Sequence, residues 1–139
     1  MTSRGFTLIE TLVAIALAAV LASAAALAAS SLATALRLGA TVRTLAQTMR
    51  ETRARAMAEG AALDVVFDAT TSSWRIQSLD GTTRRTQALP APVRFTSLPV
   101  SPRVRFDATG SANNATIALG AGVATCRIVV NQRGRVRLG

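Results

Sequence analysis

The chain has 139 residues, half of them hydrophobic, and a net charge of +9 from 16 basic residues, all arginine, against seven acids. It contains no histidine, no tyrosine and a single cysteine, Cys126. Without histidine, a serine or cysteine nucleophile has no imidazole base and zinc has no cysteine–histidine ligand set. We therefore expect no catalytic site, no metal and no cofactor. A single cysteine also excludes an intramolecular disulfide, so the folded part must be stable by packing alone.

The N-terminal stretch is long, apolar and almost free of charge. From Thr11 to Leu36 the sequence has no charged residue and consists mainly of Ala, Leu, Val, Ser and Thr. This run exceeds the roughly 20 apolar residues that a helix needs to cross a bilayer. The sequence therefore predicts a membrane-spanning helix. Arg4, which precedes the run, predicts a cytoplasmic N-terminus and places the rest of the chain outside.

Glu10 lies at the start of this apolar run, where a carboxylate is costly unless it has a partner. Residues 4–10 read Arg-Gly-Phe-Thr-Leu-Ile-Glu. A short basic leader ending in Gly5, followed by Phe6 and an acid at the fifth position after the glycine, resembles the class III signal of type IV pilins and type II secretion pseudopilins. The resemblance implies cleavage between Gly5 and Phe6 by a prepilin peptidase and N-methylation of Phe6. It also implies that the new ammonium of one subunit pairs with Glu10 of its neighbour during assembly.

Two other interpretations of the N-terminus remain open. Arg4 and the apolar run are also compatible with an ordinary secretory signal that is cleaved after an A-x-A triplet, Ala22-Ser23-Ala24 or Ala26-Leu27-Ala28. The run is equally compatible with a plain membrane anchor. Neither alternative accounts for Glu10, so the pattern favours the prepilin interpretation.

Helical patterning continues beyond the apolar run as far as Glu59. In this second half, apolar residues follow one side of a helix and charges occupy the rest. Glu51 and Arg55 are spaced for an i,i+4 ion pair, and Gly60 is expected to end the helix. The predicted apolar side consists of Leu38, Val42, Leu45, Met49 and Ala56.

After Gly60 the apolar period changes to two, which predicts strands. A hairpin is expected from Leu63 to Ile76, followed by a turn at Asp80-Gly81, a polar Arg84-Arg85 segment and a proline-rich crossover that separates two groups of strands. The later strands are predicted around Val93–Phe95, Val104–Phe106, Thr116–Leu119, Thr125–Asn131 and Arg135–Leu138. The predicted core comprises Leu63, Phe67, Trp74, Ile76, Val104, Phe106, Ile128 and Val130, and Cys126 is expected to be a small buried strand residue.

These elements predict an α+β fold, in which a long N-terminal helix with a membrane-spanning first half packs on an antiparallel β-sheet domain. The expected division is a leader at 1–5, a transmembrane or filament-core helix at 6–36, its amphipathic continuation at 37–60 and a β-sheet domain at 61–139. The order of elements resembles the GspH/FimT family of minor pilins and pseudopilins, as does the closing segment Ile128–Arg137.

This resemblance implies a structural subunit of a type II secretion pseudopilus or a type IV pilus, and not an enzyme. The implied partners are other pilin subunits, the prepilin peptidase and the bacterial inner membrane, with the C-terminal domain in the periplasm. Many major pilins close a C-terminal loop with a disulfide. Because Cys126 has no second cysteine to join, the chain is expected to be a minor subunit.

The C-terminal segment is basic and contains no acid. Residues 127–139 hold Arg127, Arg133, Arg135 and Arg137, so their electrostatic fields add. In the DNA-uptake branch of the family a C-terminal Gly-Arg-x-Arg segment is implicated in DNA binding, and Gly134 to Arg137 fits that spacing. The resemblance thus leaves open a DNA-binding minor pilin for natural transformation, with sequence-independent, salt-sensitive binding. The alternative is a solvated strand face, since a Gly-Arg closing turn is also common in pseudopilins of secretion systems.

Overall fold

The computed structural model describes residues 7–139, which form one helix and eight strands. The elements are α1 (Leu8–Glu59), β1 (Leu63–Asp68), β2 (Ser73–Ser78), β3 (Thr83–Ala88), β4 (Arg94–Ser97), β5 (Arg103–Phe106), β6 (Ala115–Ala121), β7 (Ala124–Val130) and β8 (Val136–Leu138). The chain divides after Ala33 into two compact units.

Helix α1 begins and ends with capping interactions that its sequence encodes. The backbone N–H of Glu10 donates to Oγ1 of Thr7 at 3.3 Å, which makes Thr7 the N-cap residue. At the other end Gly60 has a φ of +63°, and the N–H of Ala61 donates to the carbonyl of Ala56 at 3.2 Å. This is the Schellman arrangement that a glycine at C′ permits. The predicted stop at Gly60 is confirmed.

The amphipathic half of α1 buries the side that its periodicity indicates. All five predicted apolar residues of that side are buried, at 4% exposure or less. The predicted ion pair between Glu51 and Arg55 does not form, because Glu51 accepts a hydrogen bond from Gln47 instead. The last acid of the helix, Glu59, forms an ion pair at 2.6 Å with Arg84 of β3. Glu51 therefore keeps a local partner, whereas Glu59 pairs with a residue distant in the chain.

The strands form two antiparallel sheets of four strands each. Sheet 1 has the order β3-β2-β1-β5 and sheet 2 has the order β4-β6-β7-β8. The predicted class, a long helix with antiparallel β structure, is confirmed. The prediction that the proline-rich crossover separates two groups of strands is wrong for β5, which returns to pair with β1. Alternation identifies a strand and its two faces, but it does not identify the neighbouring strand.

Strand β3 is the element that the sequence pattern misses. Its six residues, Thr83–Ala88, are exposed at every position except one that is half-buried. It pairs with β2 on one side and forms an edge of sheet 1. Because neither face of β3 is buried, it lacks the alternation that reveals a strand. Its polar, charged character is typical of an edge strand that must not pair with another chain.

The core lies between α1 and the sheets. All eight predicted core residues are buried, with exposures of 5% or less. Side chains from α1 and from both sheets belong to one apolar cluster. Cys126 is half-buried on β7 and packs against that cluster, so it is less enclosed than predicted.

On the opposite face of sheet 1, one carboxylate lies close to two of the arginines. Asp64 is buried and accepts two hydrogen bonds from Arg105, at 2.7 Å from Nε and 2.8 Å from Nη2. Nη1 of Arg103 lies 3.7 Å from the same carboxylate. Donating these hydrogen bonds to the Asp64 carboxylate raises the pKa of Arg105. The guanidinium group of Arg105 is therefore already paired and is a poor candidate for binding another anion.

Two loops meet beside α1, and each is organised by one side chain. Oδ1 of Asp107 accepts from the N–H groups of Thr109 and Ser111, at 2.9 and 3.0 Å. Oδ1 of Asn131 accepts from the N–H groups of Arg133 and Arg135, at 3.1 and 3.0 Å. Both loops are Asx turns, in which a side-chain oxygen replaces a backbone acceptor.

The two loops approach so closely that one position requires glycine. Gly134 is buried and has a φ of +68°. A Cβ atom at Gly134 would overlap the carbonyl oxygen of Gly110 and the side chain of Arg53. Arg53 itself donates from Nε to that same carbonyl at 2.7 Å. The two loops and α1 therefore pack closely around Gly134.

We expect Gly134→Ala to lower the free energy of unfolding by about 3 kcal/mol, because a left-handed alanine costs roughly 1–2 kcal/mol and the overlap adds to it. Gly122→Ala is the matched control, since Gly122 also has a positive φ, +61°, but no atom lies within 4 Å of the position of its Cβ. Urea unfolding of the full chain in neutral detergent, followed by fluorescence of buried Trp74, measures both variants. Equal destabilisation of the two would contradict the packing argument.

The Asp107 turn predicts a pH dependence of stability. The hydroxyl of Thr109, followed by the N–H groups of Ser111 and Thr109, lowers the pKa of Asp107 below its ordinary 3.8. A lowered pKa stabilises the fold above the unfolded-state pKa, and that stabilisation is lost as the pH falls through the folded-state value. The difference in unfolding free energy between the wild type and Asp107→Asn should therefore shrink between pH 6 and pH 2. A difference that stays constant over this range would refute the assignment.

Candidate functional site

The predicted processing and assembly residues lie at the N-terminal end of the chain. Gly5 and Phe6 fall outside the described residues 7–139. Glu10 is exposed in the first turn of α1. The structure thus places Glu10 at the helix start, where a carboxylate also interacts favourably with the helix dipole.

The helix surface that follows Glu10 is apolar and exposed. Large side chains such as Leu21 and Leu27 are 71% and 73% exposed. Among the described residues, α1 is the one helix whose length and composition suit a membrane crossing. An exposed apolar surface of this extent marks a contact with lipid or with another protein.

The four C-terminal arginines are all exposed, but they do not form one cluster. Arg127 lies on β7 and Arg137 on β8, and Arg133 and Arg135 lie in the connection between these strands. None of the four forms an ion pair with a carboxylate of residues 7–139. Arg135 lines two pockets, one with Arg137 and one with Arg133, whereas Arg127 lines neither of these two.

The larger of the two pockets has a second wall that belongs to α1. It encloses about 360 Å³ and is lined by Arg50, Arg53, Ala54 and Met57 of the helix and by Gly134, Arg135, Val136 and Arg137. We call it the arginine pocket. Four of its eight residues are arginines, and none is an acid. Its chemistry therefore suits an anion.

The two helix arginines of the pocket are held by backbone carbonyls. Nη2 of Arg50 donates to the carbonyl of Val136 at 3.2 Å, and Nε of Arg53 donates to that of Gly110 at 2.7 Å. The sequence analysis missed both residues. Their spacing of three does place them on one face of a helix, but the pattern gives no sign that the C-terminal segment would pack against that face.

Four of the acids of residues 7–139 have partners outside the arginine pocket, and none of the four lines it. Asp64 is paired with Arg105, and Glu59 is paired with Arg84. Asp68 accepts hydrogen bonds within its own turn, as Asp107 does. Sheet 2 contains no acidic residue in any of its four strands. Residues 7–139 contain no cluster of His, Cys, Asp and Glu that could hold a metal ion.

Solved structures of bacterial pilins and pseudopilins share this fold. The minor pseudopilin EpsH from the type 2 secretion system of Vibrio cholerae matches 74% of this chain and 96% of its own, with 13% identity and a TM-score of 0.62. The type IV minor pilin FimU of Pseudomonas aeruginosa matches 73% of this chain and 87% of its own, with 17% identity and a TM-score of 0.63. At these identities the likeness demonstrates a shared fold.

Two family models match the sequence, and together they span most of it. The prokaryotic N-terminal methylation motif matches residues 1–26, and the type II transport protein GspH matches residues 41–134. No curated protein matches the sequence. The second model covers well over half of the chain and confirms the resemblance inferred from the order of elements. The chain therefore belongs to the GspH family, as a GspH/FimT-like minor pseudopilin or pilin, and it is a structural subunit and not an enzyme.

Proposed function

We propose that the chain enters the bacterial inner membrane as a prepilin, with residues 1–5 as a cytoplasmic leader and the C-terminal domain in the periplasm. Prepilin peptidase cleaves it after Gly5 and N-methylates Phe6. Residues 6–36 then leave the bilayer for the core of a type II secretion pseudopilus or a type IV pilus. Residues 37–60 and the β domain at 61–139 remain on the filament surface.

The observation that carries this proposal is the position of Glu10 at the start of the exposed first half of α1, which is otherwise uncharged. The apolar surface from Thr11 to Leu36 needs lipid around it before assembly and neighbouring helices after it. An acid in that setting costs several kcal/mol unless a cation is near. The ammonium created at Phe6 of an adjacent subunit supplies such a cation, and its position at a chain terminus allows it to reach the first turn of α1.

Glu10 also has a role within its own helix, and the two roles can be separated. Thr7 and Glu10 have the spacing of a capping box, in which the third helical residue is Glu or Gln. Glutamine preserves the capping pattern but removes the charge. Glu10→Gln therefore tests pairing between subunits without altering the start of the helix.

We expect Glu10→Gln to be cleaved normally and to enter filaments at least tenfold less than the wild type. Losing one partner of a desolvated ion pair costs about 3 kcal/mol, and about 1.4 kcal/mol already corresponds to a factor of ten. Immunoblots of sheared filaments and of membranes measure incorporation and cleavage separately. Normal incorporation of Glu10→Gln would refute the pairing role of Glu10.

A second candidate function is the binding of DNA during natural transformation. The observation in its favour is the acid-free surface of sheet 2, where Arg127, Arg133, Arg135 and Arg137 are exposed and unpaired with any described carboxylate. Gly134, which has a positive φ, allows the tight turn that precedes Arg135 and Arg137. No exposed aromatic side chain accompanies them among the strands, since Trp74 is buried, so the contacts would be to phosphates and not to bases.

If this function holds, the full chain in neutral detergent should retard duplex DNA at low salt. Replacing Arg135 and Arg137 together with alanine should reduce binding and flatten its salt dependence by roughly 0.9 log units per tenfold salt for each lost phosphate contact. Arg43→Ala with Arg85→Ala is the control of equal charge, since both residues are exposed and lie outside sheet 2. Absence of retardation, or equal loss in both double variants, would remove a specific role for the C-terminal arginines.

A further inference from the structure

We infer that the arginine pocket binds a carboxylate of another pilin-like subunit, either an acidic side chain or a chain-terminal carboxylate. This inference rests on the proposed function, because it requires a second subunit beside this one in the filament. It assigns a contact in addition to the one at Glu10 and uses residues of α1 that the DNA-binding candidate does not need.

The helix wall of the pocket is already positioned for an anion. Arg50 and Arg53 each use one N–H group on a backbone carbonyl, of Val136 and Gly110 respectively. Their remaining guanidinium N–H groups have no hydrogen-bond partner among residues 7–139. A guanidinium fixed from one side loses less conformational entropy when it binds a ligand with the other. Arginine binds carboxylates in a two-pronged geometry that point cations do not offer.

The opposite wall adds two further cations. The side chains of Arg135 and Arg137 form no hydrogen bond and no ion pair with described residues, and both are exposed. Four guanidinium groups around one pocket repel one another and raise the positive potential inside it. One carboxylate would relieve that repulsion and would be held from both walls.

Size and lining favour a protein carboxylate over a nucleic-acid phosphate. A concave pocket of about 360 Å³ has room for an acidic side chain, whereas the successive phosphates of a duplex follow an extended surface. Ala54 and Met57 add an apolar wall that suits the methylene groups of an acidic residue, and Met57 is 42% exposed. Arg127 does not line the pocket, and Arg133 lines the neighbouring one. The pocket therefore shares Arg135 and Arg137 with the extended basic surface that would follow a DNA strand, but Arg127 and Arg133 lie outside it.

Site-specific photo-crosslinking in filament-forming cells tests this inference with the full chain. A photoreactive residue replaces Ala54, which lines the pocket and is exposed on α1. We expect an adduct with another pilin-like subunit, and mass spectrometry should place the crosslink within a few residues of an Asp, a Glu or a C-terminus. Arg135→Gln with Arg137→Gln should reduce the adduct at least tenfold. The equally charged control, Arg85→Gln with Arg94→Gln, should leave it unchanged.

A second photoreactive position, at Leu21 on the apolar half of α1, separates failure of the pocket from failure of the proposed function. Subunit adducts at Leu21 without any at Ala54 would overturn the pocket alone. Three other results at Ala54 would also overturn the pocket. They are an adduct whose yield does not depend on Arg135 and Arg137, an adduct far from any carboxylate, and an adduct that contains nucleic acid. Loss of adducts at both positions would remove the filament placement and the pocket inference together.

Discussion

The burial of the second half of α1 against both sheets is the contact on which the rest of the domain depends. Leu45, Ala46 and Met49 are completely buried there, in the same cluster as strand residues of sheets 1 and 2. Burying one large apolar side chain contributes about 1.5–3 kcal/mol. With Cys126 as the single cysteine, no disulfide supplements this contact. The polar side of the same helix segment carries Arg50 and Arg53, so the packing of α1 also fixes one wall of the arginine pocket.

The same helix changes its surroundings along its length. From Leu38 to Ala56 its large apolar residues are buried in the domain, whereas those from Leu8 to Leu36 are exposed. A helix of this kind uses one half to hold its own domain and leaves the other for lipid or for other subunits. A filament subunit of the GspH family requires both a half that packs in its own domain and a half that is free to contact lipid or other subunits. This requirement also accounts for the large, uncharged surface of the first half of α1.

Much of this fold could be predicted from periodicity and from single glycines. Gly60 ended the helix where expected, and residues such as Phe67, Trp74 and Phe106 were buried as the period of two indicated. Strand β3 was missed because its polar residues face solvent on both sides. The pairing of β5 with β1 was missed because alternation carries no information about partners.

The candidate site was predictable to a smaller extent. The exposure of Arg135 and Arg137 followed from strand alternation around Val136. The involvement of Arg50 and Arg53 did not, because it arises from contacts between residues 57 and 86 positions apart in the chain. Local spacing also predicted the wrong partner for Glu51, which accepts a hydrogen bond from Gln47 and forms no ion pair with Arg55. Side chains that join distant segments are the part that local patterns do not encode.

The proposed function requires that the apolar stretch be retained as the assembly helix of a processed subunit. The N-terminal residue and intact mass of the mature protein, isolated from membranes of the native host, test this most directly. We expect a chain that begins at Phe6 and carries one N-methyl group. A mature chain that begins near Ala25 or Ala29 would show that the stretch is a discarded secretory signal, and an intact Met1 would show a plain anchor.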